Sequence, residues 1–168
     1  VSCRIGTNNL QAGIKAAEAA LATDDEELYI GIVNYDVNSA NGQQRELGFR
    51  QTVEQDPRVK NITTINVLST TEDARAGAKE MLLSDSRINV VVTFNEWTSL
   101  GVGWAIRDLN RADRIQVVAF DSNVVSVGML ETGEVDALIV QNPYAMGYLG
   151  VAVSYTHLRA HETVLDLV

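Results

Sequence analysis

Hydrophobic residues recur along the chain with two alternating periods, one typical of helices and one typical of strands. Residues 9–22 place Leu10, Ile14, Ala17 and Leu21 on one helical face, and the run "LYIGIVN" that follows favours a strand over residues 28–34. The pattern then predicts further helices over residues 43–55, 72–83, 97–104 and 124–131, and further strands over residues 62–68, 88–94, 115–120 and 135–140.

Strands that alternate with helices across short gaps predict an α/β fold with a doubly wound parallel sheet. The continuous apolar run at residues 88–94 is typical of a central strand that is covered on both faces. Gly133 is the predicted left-handed stop of the helix over residues 124–131. In open sheets of this kind, ligands bind outside the carboxyl ends of the strands, so the residues that follow each strand are the candidate site.

Polar residues end or follow every predicted strand. They are Asn34-Tyr35-Asp36, Ser69-Thr70-Thr71, Asn95-Glu96, Asp121-Ser122 and Gln141-Asn142. Arg45 adds a fork of donors near the start of a predicted helix. Amide and carboxylate side chains can each meet two neighbouring hydroxyl groups, and no nucleophile accompanies them. The set therefore indicates the binding of a ligand rich in hydroxyls.

The same residues also have purely structural interpretations, which the residues alone leave open. Asp121 or Ser122 could cap the helix that follows, and Asn95 could do the same for the preceding one. Ser69, Thr70 and Thr71 are candidate caps for the helix over residues 72–83. Arg45 could be a solvated helix residue.

Composition narrows the classes of function. The chain has 168 residues, enough for one domain with a core and part of a second, and it is 46% apolar and 21% charged. The formal net charge is -9 without a basic stripe, so we expect no nucleic-acid binding by this portion. No apolar run approaches the roughly 20 residues of a membrane span, and the single cysteine, Cys3, cannot form an internal disulfide.

Both histidines lie in the last sixteen residues, "VSYTHLRAHETVLDLV". His157 and His161 are four residues apart and could bind zinc on a helix. However, the segment "VSYTHLRAHET" at residues 153–163 resembles one reading frame of a transposase-type sequencing-library adapter. We therefore expect the native chain to end near Ala152 and residues 153–168 to be a non-native tail.

Without that tail the chain has no histidine, so it cannot supply a Ser-His-Asp or Cys-His arrangement. It also has no glycine fingerprint for a dinucleotide and no P-loop. We therefore predict that the protein is not an enzyme and that it binds no metal and no cofactor.

Five segments, in order along the chain, resemble type I periplasmic sugar-binding proteins, the solute receptors of ATP-binding-cassette (ABC) importers. They are "IGTNNLQAG", "NSANGQQRELGF", "VVVTFNE", "VVAFDS" and "VDALIVQNPYAMGYLG", and the ribose-binding branch is the most similar. The resemblance covers nearly all of residues 1–152. It implies two similar lobes joined by crossing segments, with this chain mainly the C-terminal lobe.

The resemblance also implies domain boundaries. Residues 1–7 would end the N-terminal lobe and form part of the hinge, residues 8–141 would be the C-terminal sugar-binding lobe, and residues 142–152 would return into the N-terminal lobe. Pro143 would then begin a helix of that lobe, at a position where its missing N–H costs little.

The family's ligand residues in this lobe fall on four positions, namely Arg45, Asn95, Asp121 and Gln141. One position departs from the family pattern. Relatives often carry an aromatic residue that stacks on the sugar ring just before the third predicted helix, where this chain has Thr70 and Thr71.

Two functions are compatible with the resemblance. The first is an extracytoplasmic receptor, periplasmic or lipid-anchored, that closes around a sugar or sugar-like polyol and delivers it to an ABC transporter permease. The second is the effector-binding domain of a lactose-repressor-type transcription regulator, which shares the fold. The amino-acid sequence of the segment "IVQNPYAMGYLG" favours the transport receptor.

Overall fold

The computed structural model describes the backbone of residues 5–165 and the side chains of residues 5–154. Its contacts divide the chain into two units. The larger is Asn9–Val140, and the smaller joins the segment that ends at Asn8 to the segment that begins at Gln141. The zinc alternative at His157 and His161 lies outside the described side chains.

The larger unit alternates helices and strands. Its elements are α1 (Asn9–Leu21), β1 (Leu28–Asn34), α2 (Ala40–Val53), β2 (Val59–Asn66), α3 (Thr71–Ser84), β3 (Val90–Thr93), α4 (Glu96–Leu109), β4 (Gln116–Phe120), α5 (Val124–Thr132) and β5 (Ala137–Ile139). The five strands form one sheet in the order β2-β1-β3-β4-β5, and every pair is parallel. The predicted α/β fold with a doubly wound parallel sheet is confirmed.

Helices cover both faces of the sheet, so the core has two layers. On one face the buried residues of α1 and α2 pack with the sheet, and they include Ala16, Ala17, Ala20, Phe49 and Val53. On the other face lie buried residues of α3, α4 and α5, which include Ala78, Leu82, Val102, Ile106 and Met129. All four residues of β3 are buried, as expected for a central strand between two layers.

The buried face of α1 differs from the predicted one. The apolar pattern favoured Leu10, yet Leu10 is 39% exposed and the buried face is made of small residues. The reason is the close approach of α1 to α2. A Cβ atom on Gly13 would lie 2.0 Å from the carbonyl oxygen of Arg45, and one on Gly48 would lie 2.2 Å from that of Leu10. Only glycine fits at these two contacts.

Side-chain caps begin the helices that follow β2, β3 and β4. Thr70 and Asn95 cap α3 and α4, as the sequence allowed. The alternative that Asp121 or Ser122 caps α5 is wrong, because Asn123 does so in a capping box with Ser126. The predicted left-handed stop at the end of α5, Gly133, is confirmed with φ at 83°.

The smaller unit contains the helix α6 (Pro143–Leu165), which begins at Pro143 as predicted. The side chain of Asn142 accepts a hydrogen bond from the backbone N–H of Ala145 at 2.9 Å, the geometry of a helix cap. The hydroxyl of Thr7 donates to Oε1 of Gln141 at 2.6 Å and so joins the two segments of this unit. No helix among the described residues combines the length and the apolar character needed to cross a bilayer.

Candidate functional site

The strand order creates a crevice at the carboxyl edge of the sheet. The connection after β1 leads outward to β2, whereas the connection after β2 crosses back to β3 on the other side of β1. The helices after β1 and β3, which are α2 and α4, consequently lie on opposite faces of the sheet. This is the topological switch point at which open α/β sheets bind ligands.

Arg45 is buried at this edge, with 3% of its surface exposed. Its Nε donates to Oδ1 of Asn9 at 2.9 Å, and its Nη1 donates to the carbonyl oxygen of Phe94 at 2.5 Å. Its guanidinium lies 4.8 Å from the centre of the Phe120 ring. The alternative that Arg45 is a solvated helix residue is therefore wrong. Phe94 and Phe120 immediately precede Asn95 and Asp121, so the guanidinium lies at the two strand ends that carry these predicted ligand residues.

The partners of Arg45 are all neutral. Among the described residues, none of the ion pairs includes Arg45, and no hydrogen bond involves its Nη2. A buried charge without a counter-ion is costly unless its remaining donors meet acceptors. This arrangement leaves Nη2 of a fixed guanidinium as the donor that a ligand oxygen would meet.

Three phenylalanine rings support this guanidinium. Phe49 meets Phe94 edge-to-face with ring centres 6.0 Å apart, and Phe94 meets Phe120 in the same way at 5.7 Å. All three rings are fully buried, which restricts their movement and holds the face on which Arg45 lies. Sequence reasoning did not assign these rings to the site, because an apolar residue at a strand end has the same pattern as any core residue.

Asn95 has a structural role in the larger unit. Its Oδ1 accepts from the backbone N–H of Thr98 at 2.9 Å, which caps α4. Its Nδ2 donates to the hydroxyl of Ser69 at 2.9 Å, and so links the segments after β2 and β3. These two contacts fix the plane of the amide. An amide nitrogen has two protons, and the second is the donor that a ligand would meet.

Asp121 adopts a left-handed backbone conformation, with φ at 66°. Residues with a Cβ atom rarely do so, although Asp and Asn tolerate it better than others. Its N–H donates to the carbonyl oxygen of Ile139 at 3.0 Å, which extends the pairing of β4 with β5 by one residue. Strained residues of this kind cluster at functional sites, and the conformation turns the chain sharply where β4 ends.

A buried hydroxyl that the sequence did not reveal joins the two central strand ends. Ser99, on α4, accepts from the N–H of Phe120 at 2.9 Å and lies 2.6 Å from the carbonyl oxygen of Asn95. Its Oγ is also 2.7 Å from the hydroxyl of Thr93. The backbone before Asp121 and the backbone of Asn95 are thus held by one side chain.

Gln141 and Thr70 are the remaining positions that the sequence singled out. The larger unit brings Arg45 to the strand ends that carry Asn95 and Asp121, whereas Gln141 belongs to the smaller unit, so its participation in the same site stays a prediction. Thr70, one of the two residues at the position where the resemblance implies an aromatic residue, accepts from the N–H of Asp73 at 3.2 Å as the cap of α3.

A cavity of about 390 Å³ lies at the opposite, amino edge of the sheet, lined by polar residues that include Asp25, Asn89, Gln116 and Asp136. Burial raises the pKa of the Asp136 carboxyl, which accepts from the N–H of Val117 at 2.7 Å. This contact holds Asp136 at the start of the β4–β5 pair. The predicted ligand residues Arg45, Asn95 and Asp121 do not line this cavity.

The fold and this edge define a ligand-binding α/β lobe, and comparison with known proteins identifies its family. A sequence profile described as "Periplasmic binding protein domain" matches residues 1–162. The chain belongs to this family, which confirms the resemblance noted from the five segments.

Several relatives are similar along most of this chain. The D-allose-binding periplasmic protein of Escherichia coli (strain K12) is 22% identical over 152 residues, which are 90% of this chain and 49% of the relative. The periplasmic component of an ABC-type sugar transport system from Hahella chejuensis is 30% identical with a TM-score of 0.87, over 93% of this chain and 58% of that structure.

A carbohydrate transporter solute-binding protein from Agrobacterium radiobacter, solved in complex with D-arabinose, is 27% identical with a TM-score of 0.87. That match covers 92% of this chain and 54% of the other. The chain therefore spans about half the length of the relatives that it matches.

Proposed function

We propose that this chain is the sugar-binding lobe of an extracytoplasmic solute receptor, which binds a sugar or sugar-like polyol by hinge closure and delivers it to an ABC importer. Membership of the periplasmic binding protein family supports an extracytoplasmic location. Relatives that are named for sugar binding or sugar transport support a sugar as the substrate class. No observation on the described residues favours the repressor alternative.

The observation that carries the proposal is the environment of Arg45. A guanidinium that is fixed by two neutral acceptors and an aromatic ring keeps donors for a ligand oxygen. Asp121 follows β4, beside the end of β3, and supplies a carboxylate, which accepts hydrogen bonds from hydroxyl groups. One positive and one negative side chain together suit a neutral ligand with several hydroxyls.

In this proposal the smaller unit supplies the hinge. Gln141 contributes a ligand contact at the crossing, and its bond to Thr7 keeps the two crossing segments together as the lobes move. The partner would be the permease of an ABC transporter. Whether the receptor is free in the periplasm or held by a lipid anchor depends on the envelope, and both fit a receptor of this class.

Calorimetric titration of the intact protein with D-allose, D-arabinose, D-ribose and D-galactose tests the proposal. We expect at least one of these sugars to bind. Arg45→Lys keeps the positive charge but loses the planar guanidinium with its several donors. Asp121→Asn keeps the size of the side chain but loses the negative charge. Each should lower the affinity by roughly tenfold to a hundredfold, because a hydrogen bond to a charged group contributes about 1.5–3 kcal/mol.

Matched controls come from the amino edge. Arg114→Lys and Asp113→Asn make the same two chemical changes in side chains that are 80% and 77% exposed. These controls should bind sugar as the wild type does. If no sugar of the panel binds, the proposed substrate class is wrong. If the two site variants bind as tightly as the controls, the assignment of Arg45 and Asp121 fails.

A further inference from the structure

We propose that Asn9 is a positioning residue that holds the guanidinium of Arg45 in its ligand-binding orientation. The proposal rests on the function proposed above, because it assigns to Asn9 a role in the same site. Asn9 is the first residue of α1 and is 7% exposed, so it is a buried polar side chain at the edge where Arg45 lies.

The two hydrogen bonds of Asn9 fix its amide in one orientation. Its Oδ1 accepts from Nε of Arg45 at 2.9 Å, and its Nδ2 donates to Oδ1 of Asn41 at 3.2 Å. Turning the amide by 180° would place a donor against the Nε–H of Arg45 and an acceptor against the oxygen of Asn41. The network is therefore satisfied in one arrangement, and that arrangement presents an acceptor to Arg45.

Asn9 and the carbonyl oxygen of Phe94 together determine the plane of the guanidinium. They hold Nε and Nη1, whose N–H groups point in different directions, while the Phe120 ring covers a face. Nη2, which lies between these two held nitrogens, is the donor left for a ligand. Without Asn9, the guanidinium could rotate about its single remaining hydrogen-bonded contact, and a buried donor would lose its acceptor.

The packing of α1 on α2 places Asn9 at this contact. Asn9 and Gly13 are four residues apart and therefore lie on the same side of α1. Gly13 allows the helix to approach the carbonyl oxygen of Arg45, and Asn9 meets the side chain of the same residue one turn earlier. A single helix face thus controls both the backbone and the side chain of Arg45.

A double-mutant cycle on the intact protein tests the role of Asn9. The titrations use the sugar of the panel that binds the wild type. Asn9→Ala should lower affinity about tenfold or more, the effect of losing one charge-assisted hydrogen bond. In an Arg45→Ala background the same change should have almost no further effect, because Asn9 acts through Arg45. Asn9→Asp keeps the acceptor for Nε of Arg45 and should retain most of the wild-type affinity. The exposed Asn61→Ala on β2 is the matched control and should bind as the wild type does.

A second readout does not depend on any sugar. In nitrogen-15 NMR spectra of the intact protein, the Nε–H of Arg45 should give a resolved signal that is slow to exchange with water and is assigned by its loss in Arg45→Lys. That signal should broaden or vanish in Asn9→Ala and persist in Asn61→Ala.

The outcomes separate the two proposals. If no sugar binds the wild type but the Arg45 signal depends on Asn9, the proposed function fails and the positioning stands. If sugar binds and Asn9→Ala leaves both affinity and signal unchanged, the positioning role is wrong. It is equally wrong if Asn9→Ala weakens binding by the same factor in the presence and in the absence of Arg45.

Discussion

Replacing Gly13 by alanine should destabilise the protein, although the same change in an ordinary helix stabilises it. Gly13 lies in the interior of α1, where alanine is favoured over glycine by about 1 kcal/mol. At this position the new methyl group would lie 2.0 Å from the carbonyl oxygen of Arg45. The shortest ordinary contact is 3.4 Å, so the group would be about 1.4 Å too close.

The obstacle is a backbone atom, which cannot move aside as the end of a long side chain can. The helices α1 and α2 must therefore separate, and overpacking of this kind costs about 1–3 kcal/mol, occasionally more. After the gain in helix propensity is subtracted, we expect Gly13→Ala to lower the free energy of unfolding by up to about 2 kcal/mol. The separation would also shift Arg45, so sugar affinity should fall with stability.

Urea-induced unfolding of the intact protein, followed by circular dichroism, measures the effect. Gly128→Ala is the matched control, because Gly128 lies within α5 and a Cβ atom there would meet nothing within 4 Å. The control should gain roughly 0.5–1 kcal/mol. If Gly13→Ala proved as stable as Gly128→Ala, the close packing of α1 on α2 would be refuted as the reason for the small-residue face.

Three further predictions concern single residues. Asp121→Gly should be more stable than Asp121→Ala by about 1 kcal/mol in urea unfolding, because only glycine adopts a φ of 66° without strain, and neither variant should bind sugar. Asn123→Ala removes the cap of α5 and should lower the free energy of unfolding by about 1 kcal/mol in the same assay. The side chains of Arg75 and Lys79 lower the pKa of Asp108 from 3.8 to about 2. The stabilising contribution of Asp108 should therefore be complete above pH 4 and disappear as the pH falls towards 2. Comparing the unfolding of Asp108→Asn with that of the wild type across this pH range measures the effect.

Each of these predictions has a result that contradicts it. Equal stability of the two Asp121 variants would mean that the left-handed backbone carries no strain. If Asn123→Ala lowered the free energy of unfolding no more than the exposed Asn61→Ala control does, the cap of α5 would not stabilise the protein. A difference between wild type and Asp108→Asn that stayed constant from pH 5 to pH 2 would show that the ion pairs with Arg75 and Lys79 do not stabilise the fold.

Much of the candidate site could be predicted from the sequence because strand ends are visible in the apolar pattern. Asn95 and Asp121 follow runs of buried residues directly, and parallel strands bring their carboxyl ends to one edge. Arg45 was singled out as a fork of donors near the start of a predicted helix, and the resemblance then placed it among the ligand residues. Its burial was not foreseen, because an arginine on a helix is ordinarily solvated even where it shares a face with residues such as Phe49 and Val53.

The sequence by itself determined the order and type of the elements, because helix and strand periods reflect the repeat of the local backbone. Glycines, caps and Pro143 set several of their ends for the same local reason. Only the tertiary structure decided which side chains meet across long separations. The contact of Asn9 with Arg45 and the left-handed turn at Asp121 arise from the packing of whole helices and strands, since no local pattern records the distance between elements.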